Sequence, residues 1–282
     1  SKSKGNIVSP NEIIDKYGAD VLRWFFYTTN DPGDPKRFDE KDLVEVARGF
    51  FLIIYNIFSF YRLYGKGADS SLRFQPKRIL DKWIFSRLHE TIYGVTEKLE
   101  KYDIGNAARK IAAFTDDLSR WYLRRSRTRF QRPESERDLI EASALLRELL
   151  LKLSQLIAPF APFFGEALFK SLSSDESVHL SDWPEADKKM IDAKLSSLMA
   201  EARDIATKAL AKRAESGVKV RQPLGSLKIK KSSLRESKEI VEILKEEVNV
   251  KEIIFDEMAE EDVSFDLTIT PELKEEGLRR EF

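Results

Sequence analysis

The sequence predicts a mainly α-helical protein in which a helical bundle is followed by a small C-terminal α/β module. Through the first two thirds of the chain, apolar residues recur every three to four positions, as they do on the buried face of a helix. After residue 187, helical patterns alternate with short apolar runs that are typical of strands. At 282 residues, the chain is long enough for two or three domains.

Composition excludes several classes of function. No apolar run approaches the roughly 20 residues that a membrane span needs, so we expect no membrane partner and a cytoplasmic location. The chain has no cysteine and only two histidines, which argues against disulfides and against a cysteine- or histidine-based metal site. Its 48 basic and 48 acidic residues balance, so any nucleic-acid site must come from local clustering of cations.

The N-terminal region predicts a loop and three helices. Residues 1–6 form a polar, basic loop, which pattern alone assigns to an ordinary solvated tail, although lysines on such a loop also suit a phosphate. Ser9 is a candidate N-cap, with Pro10 at the first helical position and Glu12 completing a capping box, and Gly18 marks the helix end. Further helices are predicted at 19–27 and 39–64, separated by a turn-rich loop at 30–35.

Three long helices with apolar stripes follow a linker at 65–71. Antiparallel packing of such helices around one core gives a helical bundle. A short helix at 163–172 follows the two prolines that interrupt the chain after the third stripe. The stripes consist of Phe85, Leu88, Ile92, Val95 and Leu99; of Ile111, Phe114, Leu118 and Trp121; and of Leu139, Leu146, Leu150, Leu153 and Ile157.

The C-terminal module is predicted to contain a helix at 195–215, a strand at 227–230, a helix at 236–247 and strands at 251–255 and 263–269. Between the first helix and the first strand lies a basic turn, residues 217–225, which its pattern assigns to a plain connection.

An arginine-rich run is the feature most typical of nucleic-acid binding. Residues 120–132 contain six arginines and no acidic residue. Arginine binds phosphate through a bidentate fork and stacks on unpaired bases. The alternative is a solvated helix face that pairs with acidic neighbours, and the lack of acids within the run disfavours it. The predicted contacts to RNA or phosphate are Arg120, Arg124, Arg125, Arg127, Arg129 and Arg132.

The first residues resemble the signature loop of class I aminoacyl-tRNA synthetases. Residues 1–10, followed by 17–20 and Arg23, are similar to the Lys-Met-Ser-Lys-Ser loop and the helices after it, with Ser1 matching the third position of the motif. The resemblance implies that Lys2, the motif's second lysine, is catalytic and stabilises the pyrophosphate side of ATP. It also places Ser1 and Ser3 with Lys2 in the ATP site.

Further segments narrow the resemblance to the isoleucyl-tRNA synthetases. Two segments are more similar to isoleucyl than to valyl or leucyl enzymes. They are the run at 176–180, shortly before the Trp-Pro pair at 183–184, and the Val-Arg-Gln-Pro-Leu turn at 220–224. The segments that resemble the family are residues 37–41, 80–84, 117–122, 124–127, 158–163, 176–184 and 220–224.

This resemblance implies an enzyme that joins isoleucine to its tRNA with ATP and Mg²⁺. Residues 1–45 then correspond to the signature loop and stem-contact region, residues 46–187 to the anticodon-binding bundle, and residues 188–282 to a C-terminal junction module. The nucleotide-binding fold, its His-Ile-Gly-His loop and the editing domain have no counterpart in the sequence. We therefore expect a tRNA-binding portion that is inactive in adenylation by itself, belongs with N-terminal catalytic and editing domains, and is monomeric.

The sequence leaves two alternative interpretations open. In the first, the chain is the equivalent portion of a valyl- or leucyl-tRNA synthetase. In the second, it is a free-standing helical RNA-binding module.

Overall fold

The computed structural model describes residues 8–30, 33–35, 38–66 and 76–279. The chain folds into two compact units, of which the first ends at Ile191 and the second begins at Asp192. In its described residues the first unit is helical, whereas the second combines helices with a three-stranded sheet. The predicted fold class is therefore confirmed. The loop containing Ser1, Lys2 and Ser3 and the linker residues 67–71 lie outside the described residues.

The helices of the first unit fall at the predicted places. Ser9 precedes α1 and Pro10 begins it, but the Ser9 side chain makes no capping hydrogen bond, so the predicted capping box does not form. Gly18 ends α1 with a φ of 86°, a conformation that favours glycine. The helices are α1 (Pro10–Tyr17), α2 (Ala19–Thr28), α3 (Glu40–Val46), α4 (Leu52–Tyr64), α5 (Ile79–Glu100), α6 (Ile104–Asp116), α7 (Arg124–Gln131), α8 (Glu136–Ile157) and α9 (Pro162–Lys170).

Helices α3 and α4 form one continuous helix, Glu40–Tyr64, through a π-helical segment at Ala47–Phe51. By length and composition this helix of 25 residues is long and apolar enough to cross a membrane. The expectation that no segment reaches that length is wrong here. A single such helix is weak evidence for a membrane span, because core helices of soluble proteins meet the same criterion. This helix buries Leu43, Ile54 and Ile57 within the first unit.

The core of the first unit forms where α5 packs against α6 and α8. All five stripe residues of α8 are buried, as are the central residues of the stripe on α5, whereas Phe85 and Leu99 are partly exposed. On α6, Ile111 and Phe114 are completely buried. The predicted periodicity therefore identified the core faces of all three helices.

A π-helical segment, Asp117–Leu123, joins α6 to α7 and changes the second predicted apolar stripe at one position. An α-helix would bury Trp121 three residues after Leu118. Because π-helical hydrogen bonds span five residues, the segment adds one residue to the turn. Tyr122 is completely buried instead, and Trp121 is partly exposed.

Two side chains of helix α2 form hydrogen bonds to the backbone at the junction between α8 and α9. The Asp20 carboxylate accepts a hydrogen bond of 2.6 Å from the Phe164 backbone N–H, in the first turn of α9. Arg23 donates hydrogen bonds of 3.0 Å to the carbonyl oxygens of Pro159 and Phe160, just after α8 ends. Because helix ends leave backbone groups unpaired, these two side chains supply caps that the local sequence lacks.

The second unit is a small α/β module. Strand β1 is central, with β2 parallel on one side and β3 antiparallel on the other. The connection from β1 to β2 runs through α11, as a parallel pair requires. The third strand is shorter than predicted, and the final helix was not predicted. The elements are α10 (Ala193–Glu215), β1 (Leu224–Ile229), α11 (Lys238–Val248), β2 (Val250–Phe255), β3 (Val263–Phe265) and α12 (Pro271–Arg279).

Two helical glycines provide a test of packing between α8 and α9. A Cβ added to Gly165 lies 3.0 Å from the Ala158 Cα and 3.1 Å from the Ser154 carbonyl oxygen, whereas one added to Gly49 has no neighbour within 4 Å. We expect Gly165→Ala to lower the free energy of unfolding by about 1 to 3 kcal/mol because backbone must move. Gly49→Ala is the matched control and should raise it by about 0.5 kcal/mol. Urea unfolding checks both, and equal effects would contradict close packing at this corner.

Candidate nucleic-acid interface

The six predicted arginines lie on one helical stretch but not on one face. Arg120 belongs to the π-helical segment, Arg132 follows the end of α7, and the other four are within α7. Tyr122 and Phe130 are buried on the inner face of this stretch and fix it against the core. The direction of each arginine follows from this placement.

Five polar side chains form an exposed row, which we name the arginine stripe. Apart from Thr128, which directly follows Arg127, they are spaced at three to four residues, which places them on one helix face. The row contains three guanidinium groups together with a hydroxyl and an amide, so it offers hydrogen-bond donors along its length. It consists of Arg120, Arg124, Arg127, Thr128 and Gln131.

Within the stripe, the arginines differ in their local contacts. Arg120 forms an ion pair of 2.6 Å with Asp116, one turn earlier, and its side chain is 69% exposed. The Nε of Arg124 donates a hydrogen bond of 2.8 Å to the Arg120 carbonyl oxygen. Arg127 is exposed in the second turn of α7. An exposed pair such as Arg120–Asp116 contributes little to stability, so its guanidinium can exchange partners at low cost.

Arg129, by contrast, is buried in an ion-pair network. Its Nη1 lies 2.9 and 2.8 Å from the two carboxylate oxygens of Asp81, and its Nε lies 2.8 Å from Asp138. The Tyr122 hydroxyl donates a further hydrogen bond of 3.0 Å to Asp81. The network joins α5, α7 and α8 with the π-helical segment.

Burial and charge act in opposite directions in this network: burial raises the pKa of the Asp81 carboxyl, whereas Arg129 and the Tyr122 hydroxyl lower it. Burial alone lowers the pKa of Arg129, but Asp81, with further contributions from Tyr122 and Asp138, raises it above its usual value. Burial and the neighbouring Asp81 raise the pKa of Tyr122 well above its ordinary value, so the phenol keeps the proton that it donates. Since the Arg129 guanidinium is enclosed and bound to two carboxylates, we remove it from the set expected to contact RNA and assign it a structural role.

The two remaining arginines flank the stripe. Arg125 is half-buried beside it, and Arg132 is exposed just past the C-terminal end of α7. The Arg132 backbone N–H closes the last turn with a hydrogen bond of 2.7 Å to Thr128. Arg132 therefore extends the cationic surface, whereas Arg125 contributes to its edge.

Sequence reasoning missed the acidic residues that accompany the run. Asp81 lies four residues before Phe85, at the spacing of the α5 stripe, so an acid occupied a position predicted to face the core. A buried carboxylate requires a cationic or hydrogen-bonding partner, and this signal could have identified a structural arginine. Asp138 gave no comparable signal.

The described residues contain no group of three or more His, Asp or Glu side chains that could hold a metal ion. The assignment of Lys2 to catalysis, and of Ser1 and Ser3 to ATP binding, concerns residues outside the described ranges and stays a prediction.

An exposed cationic row on a helical bundle is an arrangement suited to RNA, and comparison with known families agrees with it. A model of the anticodon-binding domain of tRNA ligases matches residues 81–230, more than half of the chain. The chain therefore belongs to this family. The match begins in the first turn of α5 and continues through β1, and so contains the whole arginine stripe.

Individual relatives indicate which tRNA ligases the chain resembles. The chain is 40% identical to the isoleucine–tRNA ligase of Deinococcus radiodurans over 90% of its own length and 24% of the relative's. It is 38% identical to the isoleucine–tRNA ligase of Dehalococcoides mccartyi, over 91% and 27%, and 38% identical to that of Thermus thermophilus, over 97% and 27%. The resemblance to isoleucyl enzymes is thus confirmed, and the chain spans about a quarter of the length of these relatives.

Among solved structures, the chain resembles LeuRS from Agrobacterium radiobacter in a ternary complex with tRNA and LeuAMS. The TM-score is 0.51 at 21% identity, covering 68% of this chain and 23% of that one. At this identity the likeness concerns the fold alone.

The Asp81–Arg129 pair leads to a stability prediction. We expect Asp81→Ala to lower the free energy of unfolding by about 3 kcal/mol, because it leaves a buried guanidinium with one carboxylate fewer. Asp116→Ala, which removes the exposed partner of Arg120, should cost less than about 1 kcal/mol. Urea unfolding of the two variants measures the difference. Similar losses would show that the Arg129 network does not hold α7 in place.

Proposed function

We propose that the chain is the tRNA-binding part of an isoleucine–tRNA ligase and contacts the anticodon region of tRNA through the arginine stripe. The observation on which this depends is the exposure of Arg120, Arg124 and Arg127 on one helix face inside the region that matches the anticodon-binding family. Guanidinium groups arranged in a row fit the spaced phosphates of an RNA backbone, and Thr128 and Gln131 add hydrogen-bonding groups beside them.

Specificity for isoleucine tRNA is proposed from the relatives. The isoleucine–tRNA ligases similar to this chain align with 90% or more of it. A filter-binding comparison of isoleucine tRNA with valine tRNA tests this point. Equal retention of the two tRNAs would contradict the specificity and leave general tRNA binding in place.

For the whole protein we propose ligation of isoleucine to tRNA with ATP and Mg²⁺ in the cytoplasm. In this chain, Lys2 with Ser1 and Ser3 are the residues that the signature-loop resemblance places at ATP. When bound, ATP would supply the adenylyl group that activates isoleucine, with pyrophosphate as the leaving group, and the bundle and the second unit described here would serve the tRNA.

We also propose a division of roles along the chain, with residues 1–45 next to the acceptor stem, 46–187 at the anticodon and 188–282 as a junction. The division of the structure into two compact units, between Ile191 and Asp192, lies close to the second boundary and supports it. The first boundary falls inside the continuous helix Glu40–Tyr64, so it marks a change of role along one helix.

The double variant Arg124→Ala with Arg127→Ala tests the arginine stripe. We expect weaker binding of isoleucine tRNA, and a slope of log K against log salt reduced by about 1 to 2, because two phosphate contacts are lost. Titration of tRNA at several salt concentrations measures both quantities.

Lys101→Ala with Lys110→Ala is the matched control. It removes two exposed cations near the opposite end of α5 from Asp81, and we expect unchanged affinity and slope. If the stripe variant also binds like the unmodified chain, the stripe is not the RNA-binding surface.

A further inference from the structure

Arg213, near the end of α10, is completely buried yet has no carboxylate partner among the described residues. Its Nη1 donates hydrogen bonds to the carbonyl oxygens of Lys219 (3.1 Å) and Gln222 (2.8 Å), and its Nη2 to that of Asn249 (2.8 Å). The guanidinium also lies over the Phe265 ring, 5.1 Å from its centroid. Burial lowers the pKa of Arg213 to about 10, so the group remains cationic at neutral pH.

Asn249 completes the anchoring of the same turn. It ends α11 in the left-handed conformation, with a φ of 52°. Its side-chain nitrogen donates hydrogen bonds of 2.8 Å to the Val220 carbonyl oxygen and 3.1 Å to that of Arg221. Together, Arg213 and Asn249 bind the four consecutive carbonyl oxygens of residues 219–222.

The anchoring determines where the amide N–H groups point. The peptide bonds here are trans, so the C=O and N–H of one peptide unit point in opposite directions. Since the carbonyl groups of Lys219 and Val220 point toward the protein, the N–H groups of Val220 and Arg221 point away from it. Neither of these two N–H groups has an acceptor among the described residues, and both residues are exposed.

The outer side of the turn is therefore suited to an anion. Two successive N–H groups form a concavity of the kind that binds phosphate oxygens. The side chains of Lys219 and Arg221 are exposed at the same turn, and residues 217–223 contain no acid. The carbonyl oxygens, which would repel an anion, are occupied on the inner side, and the unneutralised charge of Arg213 lies beneath them.

We propose that the turn 217–223 is a phosphate-binding site for the tRNA backbone, separate from the arginine stripe and built by Arg213 and Asn249. The proposal rests on the proposed function for the identity of its ligand, and on the turn alone for the phosphate chemistry. It replaces the plain connection that the sequence pattern predicted.

Inorganic phosphate tests the site without RNA. In the full chain labelled with ¹⁵N, titration with phosphate at constant ionic strength should shift the amide signals of Val220 and Arg221 more than others. Lys219→Ala with Arg221→Ala should abolish these shifts. Lys231→Ala with Lys238→Ala, which removes two exposed cations beyond the far end of β1 and at the start of α11, should preserve them. Absence of localised shifts in the unmodified chain would overturn the site.

Binding of tRNA tests the ligand. We expect the Lys219→Ala and Arg221→Ala pair to reduce the slope of log K against log salt by about 1.4 to 1.8. Asn249→Gly keeps every charge and the left-handed backbone but loses both anchoring hydrogen bonds, so it should weaken tRNA binding several-fold with little change in slope. Wild-type binding by both variants would overturn a tRNA contact at this turn.

The outcomes separate the two proposals. If tRNA binding depends on Arg124 and Arg127 but phosphate produces no shift at the turn, the proposed function holds and the turn inference fails. If phosphate shifts the turn amides but the chain does not bind tRNA, the phosphate site holds and the proposed function fails.

Discussion

The buried carboxylate of Asp81 is the contact on which the candidate interface depends. It receives two hydrogen bonds from Arg129 and one from Tyr122, and Arg129 continues to Asp138. Helices α5, α7 and α8 are thereby joined by one buried ion-pair network. Because a buried ion pair tolerates little displacement, it fixes the rotation of α7 about its axis. That rotation decides which arginines face solvent, including Arg124 and Arg127.

Arg129 and Arg213 are both buried, but their charges are compensated differently. Arg129 is paired with the carboxylates of Asp81 and Asp138. Arg213 is bound by carbonyl oxygens alone, so its charge remains and contributes a positive potential at the turn above it. The first arrangement stabilises a surface made of other residues, whereas the second is itself part of the electrostatics of a surface. Sequence composition does not distinguish these cases, since both residues lie in charged helices.

The fold was largely predictable because each long helix has a dense apolar stripe, and all five predicted core residues of α8 are buried. The burial of Tyr122 in place of Trp121 was not predictable, because a single π-helical turn does not alter the apolar spacing of the sequence. The burial of Arg129 needed partners 48 and 9 residues away. The turn 217–223 was missed for a similar reason. Asn249, which binds its carbonyl oxygens, lies at the end of α11, after the connection from β1. Short-range periodicity predicts where helices form, but whether an arginine is buried or exposed depends on partners that are distant in sequence.

The π-helical segment Asp117–Leu123 makes the position of a one-residue gap as important as composition in this region. Because the wider turn absorbs one extra residue, loss of one residue within the segment would restore regular α-helical geometry and keep the side chains of α7 in their present directions. Loss of one residue inside α7, between Arg124 and Arg129, would instead turn the side chains after it by about 100° relative to the core, and Arg129 would leave its carboxylates. Among related chains, an alignment gap of one residue in α7 therefore signals a larger change in the surface than a gap in the π-helical segment.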